Sequence, residues 1–132
     1  MNSALEFHDS RVSSITSDET HLSMRFRAAY LHKSEGMPGV DEGTVWVQEG
    51  QLVFSNAKWQ GSFEIGDGWL IDGQLTAGSE KPRSMVPVPF AATDGVFAKF
   101  SFSNGCALEV KARSVRLTLF GEARYVEAFQ KA

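Results

Sequence analysis

Residues 96–112 fold back on themselves in one consistent register, and that register constrains the rest of the chain. With Ser103-Asn104-Gly105 as a three-residue loop and Gly105 in the left-handed region, Phe102 faces Cys106 and Phe100 faces Leu108. Ala98 then faces Val110, and Val96 faces Ala112. One face of the hairpin is wholly apolar. The other sets Lys99 against Glu109, Ser101 against Ala107 and Phe97 beside Lys111. A slip of one residue opposes Phe100 to Glu109 and Lys99 to Val110, which mixes the faces, so this register is strongly specified.

The same alternation recurs along the chain. From His21 to His32, Leu22, Met24, Phe26, Ala28 and Tyr30 share one face, while His21, Ser23, Arg25 and Arg27 occupy the other, which predicts a long strand with one wet side. Leu5–His8 and Arg11–Ser17 read as two shorter strands before it, with Ser17-Asp18-Glu19-Thr20 as a polar turn. Residues 33–43 are rich in glycine and carboxylates and read as a loop. Thr44 to Asn56 suggests a second hairpin about Glu49-Gly50, with Val47 opposite Leu52 and Val45 opposite Phe54. A third turns at Gly66-Asp67-Gly68, pairing Ile65 with Trp69 and Phe63 with Ile71. Residues 76–89, broken by Gly78, Pro82, Pro87 and Pro89, read as a loop leading into an edge segment. Val115, Leu117 and Leu119 alternate with Arg116 and Thr118 after a change of phase at Arg113-Ser114 that suggests a bulge. The tail reads as a last strand over Arg124–Phe129, with a short C-terminal helix as the alternative.

These elements predict an all-β fold. About nine or ten short antiparallel strands bury their apolar faces either as a β-sandwich, which ranks first, or as a flattened barrel. A chain of 132 residues fits a single domain spanning residues 1–132. Hydrophobic residues at 42% and charged ones at 22% argue against disorder. A net charge of −3 with scattered cations supplies no stripe for phosphates, which excludes nucleic acid as the expected partner. No apolar run is long enough to span a bilayer, so a cytoplasmic protein is expected. The lone cysteine, Cys106, makes no internal disulfide and reads as a small apolar residue of its hairpin.

Several residues invite chemistry. Phe7-His8-Asp9-Ser10 contains the residue types of a base, an orienting acid and a nucleophile. In a regular strand, however, His8 and Asp9 point to opposite faces, so the plainer reading is turn chemistry. His21 and His32 lie about 35 Å apart if their strand is extended, and neither joins a compact ligand pair, so no metal and no cofactor is expected. Trp59 falls among polar neighbours between strands and is the aromatic best placed for recognition. Arg25 and Arg27 line one wet face, where they either receive an acidic partner or keep the sheet soluble.

Leu5-Glu6-Phe7-His8-Asp9-Ser10, followed by Val12, Ile15 and the alternating strand from Leu22, resembles the opening of small bacterial all-β proteins that include the immunity protein 50 family. The resemblance covers about residues 5–30 and implies a β-rich, partner-binding domain of a toxin system, with no catalytic residue to carry over. The expectation is therefore a non-enzymatic module that binds a protein or small ligand through its 33–43 and 78–89 loops and Trp59. The rivals are a small hydrolase using His8 and Asp9, and a lipocalin-like carrier with Phe26, Tyr30 and Phe100 around a cavity. An edge strand also permits a homodimer.

Overall fold

A computed structural model describes residues 1–61 and 68–130. Ten strands follow one another: β1 (Asn2–Ser17), β2 (His21–Ser34), β3 (Gly43–Ser55), β4 (Lys58–Gly61), β5 (Gly68–Ala77), β6 (Met85–Pro87), β7 (Ala91–Ala92), β8 (Val96–Phe102), β9 (Ala107–Ala112) and β10 (Ser114–Phe129). They form one antiparallel sheet in the order β4-β9-β8-β5-β1-β2-β3-β10-β7, with β6 beside β1. The fold is all-β, and among the described residues there is no helix, so none is long and apolar enough to cross a membrane.

The sheet is curled, as its connections require. Arg113 alone links β9, second in the order, to β10, second from the other end. Its amide donates to Ser55 O and its carbonyl accepts from Gly95 N, each at 3.0 Å. Strand β5 turns the corner by pairing with β1 at Arg11↔Trp69 and Val12↔Gly68, and with β8 from Leu70 to Ala77. The flattened barrel is therefore the better description, and the expected bulge at Arg113-Ser114 is instead a crossing between the two halves of the curl. Inside lies a single apolar cluster in which Phe7, Phe54 and Phe100 meet edge to face.

The Val96–Ala112 hairpin has the register read from its letters, from Val96↔Ala112 to Ser101↔Ala107. Gly105 has φ +89° and its amide bonds to Phe102 O. The Ser17–Thr20 turn also holds. Asp18 Oδ1 accepts from the amides of Thr20 and His21 at 2.9 and 2.8 Å, and these bonds hold its carboxyl below its usual range.

Other expectations are corrected. Glu49-Gly50 is no turn, because β3 runs straight through it between β2 and β10. A Cβ on Gly50 would come within 2.8 Å of Thr118 O and Leu119 Cδ2, so this glycine serves close strand approach. The two short N-terminal strands are halves of β1, and the strand expected at Arg124–Phe129 is the far half of β10. The third hairpin, about Gly66-Asp67-Gly68, lies outside the described residues.

A crease crosses the sheet at one level. Between β1 and β2, the five steps from Glu6 to Arg11 oppose two from Tyr30 to Ala28. Between β2 and β3, three steps from Phe26 to Ala29 oppose two from Gly50 to Gln48. Between β10 and β3, four steps from Phe120 to Arg124 oppose two from Glu49 to Val47. The surplus is three residues on β1, one on β2 and two on β10, and an odd surplus exchanges which positions face inward. In β2 the buried set changes from Leu22, Met24 and Phe26 to Ala29 and Leu31, so Ala28 and Tyr30 do not continue the first face as their spacing predicts.

Candidate functional site

The crease builds a polar cluster at its β1 end. Asp9 sits at φ +72°, a left-handed value uncommon outside glycine, and it suspends the alternation of the strand. His8 and Asp9 therefore do not point apart: His8 Nδ1 lies 3.5 Å from Asp9 Oδ2 and 3.8 Å from Glu6 Oε1. His32, on β2, places Nε2 3.1 Å from the other Glu6 oxygen. Its ring packs edge to face against Tyr30 and Phe129, and it is buried. Burial first, then the carboxylates of Glu127, Asp9 and Glu6, hold the Tyr30 phenol above its usual range.

Ser10, the third member of the sequence cluster, is fully buried. Its hydroxyl donates to Glu6 O at 2.7 Å and accepts from Tyr30 N at 3.0 Å. It pins the bulge instead of facing His8 as a nucleophile.

On the same side of β1, the loop between β2 and β3 folds down to make a second feature. Met37 N donates to Asp41 Oδ2, and Ser34 Oγ bridges Glu42 O and Gly36 N, which ties the loop into a compact turn. This brings Met37, Pro38 and Val40 opposite β6 and the start of β1, around a groove of about 850 Å³. Met1, Met85 and Pro87 complete its apolar lining, with Arg83 at the margin. Met37 is 61% and Val40 53% exposed, and they stand together on the lining of this groove. The two loops singled out from sequence thus meet in one place.

Trp59 is elsewhere. It lies on β4 rather than between strands, paired with Val110 and packed partly against the core. It borders a cavity of about 360 Å³ on the far half of the curl, with Phe97, Lys58, Lys99 and Lys111 nearby. The tryptophan most open to solvent is Trp69, at 48%, beneath the Arg11 guanidinium. Arg25 stacks over Phe120 at 4.6 Å, while Arg27 lines a separate cleft with Gln48 and Arg124. The arginines, Trp59 and the His8 cluster do not form one site. Phe26 and Phe100 lie in the packed core, with Tyr30 on the opposite side of the sheet, so these three do not surround one cavity.

Sequence reasoning missed Glu6 as the partner of both His8 and His32, and Met85 as a groove wall. A bulge in β1 was needed to bring the three polar side chains together, and nothing in the letters marks its position. No family model matches this chain, and no curated protein and no solved structure matches it significantly.

Proposed function

We propose that this chain is a non-enzymatic binding module that takes an extended apolar segment of a partner protein into the groove between the 35–42 loop and β6. The observation that carries the reading is the pair of exposed side chains Met37 and Val40, which line with Met85 a groove of about 850 Å³. Methionine walls adapt to varied side chains, as suits a recognition surface. The choice of an extended peptide as occupant rests on β6. This three-residue strand pairs, among the described residues, only with β1, so its outer edge offers main-chain groups to an added strand. An immunity-type role inside a cytoplasm, with a toxin as the partner, is one instance of this activity.

Panning a random peptide library on the immobilised full chain tests the reading, followed by methyl spectra of the methionines. Selected peptides should carry apolar residues at alternate positions and shift the Met37 and Met85 methyls. Val40→Glu should weaken them about tenfold or more, the effect of removing one well-buried apolar contact. Peptides that bind Val40→Glu as well as wild type, or that leave those methyls unmoved, would refute it.

A further inference from the structure

We propose that Glu6, His8 and Asp9 form a binding site for a divalent first-row transition-metal ion, with His32 orienting Glu6 from beneath. One nitrogen or oxygen from each of the three lies within 4.8 Å of the others. A tetrahedral ion with ligands at about 2.0–2.2 Å holds them about 3.3–3.6 Å apart, so small side-chain rotations complete the set. The spacing from His8 Nδ1 to Asp9 Oδ2, 3.5 Å, already has that value. One imidazole and two carboxylates suit zinc or manganese better than calcium, which takes six to eight oxygens.

The second observation is His32. Its side chain is only 5% exposed, and its Nδ1 has no hydrogen-bond partner. A proton on that buried nitrogen would lack an acceptor, so the ring proton belongs on Nε2, where it is donated to Glu6 Oε2. That bond holds one carboxylate oxygen and leaves Oε1 turned toward His8. Carboxylates that ligate a metal are themselves held by outer hydrogen bonds, and His32 supplies one to Glu6. His8 and Asp9 are more than half exposed, which gives an ion a path in and leaves a coordination position open to solvent. The site does not rest on the groove reading, although Glu6 pairs directly with Met85 across β1 and β6.

Calorimetric titration of the full chain with Zn²⁺, without peptide, provides the test. The expected result is one ion bound per chain, with affinity reduced about tenfold or more in His8→Ala and in Asp9→Asn. Both variants alter exposed side chains, and asparagine tolerates the left-handed backbone at position 9. His21→Ala should bind as wild type does, and ring proton spectra should show His8, not His21, shifting on addition of zinc. Absence of binding to the wild type overturns the proposal and leaves Glu6, His8 and Asp9 as a polar cluster of the bulge. Undiminished binding by His8→Ala overturns it equally.

Discussion

Gly73→Ala tests the curl of the sheet directly, because the expected sign opposes ordinary residue preference. In a strand interior, alanine is favoured over glycine by roughly 0.5–1 kcal/mol, so propensity alone predicts stabilisation. At position 73 the added Cβ would lie 2.6 Å from Phe7 Cβ, 2.9 Å from Phe7 Cγ and 3.1 Å from Phe100 Cδ1, against an ordinary contact of 3.4–4 Å. Phe7 Cβ is fixed to the backbone of β1 and has no rotamer by which to withdraw, so β5 and β1 must separate by about 0.8 Å or more. Overpacking of this kind costs about 1–3 kcal/mol, and the rigidity of the struck atom places it near the top of that range. After subtracting the propensity gain, the net loss is about 2 kcal/mol. That corresponds to a fall in Tm of roughly 6–10 °C for a chain of this size. Urea denaturation followed by tryptophan fluorescence measures it. The control is Gly105→Ala, which meets no atom within 4 Å and should lose only the roughly 1–2 kcal/mol of its left-handed backbone. A Gly73→Ala protein as stable as wild type would mean that β5 does not cross Phe7 at this distance, and the account of the curl would fail.

Phe100→Ala should destabilise by about 4–5 kcal/mol, the upper part of the range for a buried phenylalanine, because the ring contacts both Phe7 and Phe54; a loss below about 2 kcal/mol in denaturation would contradict the packed core. Ser10→Ala removes the hydroxyl that ties Glu6 O to Tyr30 N beside their ladder pairing and should cost about 1–2 kcal/mol, with faster amide exchange at Tyr30 as the local sign. In a Tyr125→Phe background, phenolate absorbance should show Tyr30 ionising above the usual value of 10.0, and Glu127→Gln should bring it down. Since the folded state holds that proton more tightly than the unfolded one, this phenol lowers stability as pH rises above 10. Asp18 has the opposite sign. Its carboxyl is depressed, so its contribution is present above the unfolded value of 3.8 and is lost as pH falls through the folded value, and Asp18→Ala should flatten that part of the stability profile.

How much of this was legible depends on whether local chemistry or long-range pairing fixes each element. The Val96–Ala112 hairpin could be read because its loop glycine sets the register and a slip exposes phenylalanine on the wet side. The same loop logic failed at Glu49-Gly50. A turn-like dipeptide there is held extended by ladders from both β2 and β10, and those neighbours lie far away in sequence. At the candidate sites, residue types were visible and convergence was not. His8 and Asp9 were separable by strand periodicity only while the strand was assumed regular.

The bulges therefore do more than bend the sheet. A regular β1 would send Asp9 to the face opposite His8, and a regular β2 would keep Tyr30 in phase with Leu22, Met24 and Phe26 on the core side. The surplus residues in both strands turn Tyr30 and His32 outward beneath Glu6, at the level where Asp9 takes its left-handed angle. On β10 the corresponding surplus leaves carbonyls that Gln48 Nε2 satisfies, at 2.8 Å to Gly121 O and 3.4 Å to Phe120 O. Surplus residues on three strands, β1, β2 and β10, at one level bend and twist the sheet there together. The cluster at the edge of the groove is thus a consequence of how this sheet closes, and any substitution that straightens the crease should disperse Glu6, His8 and His32 even where it leaves the core intact.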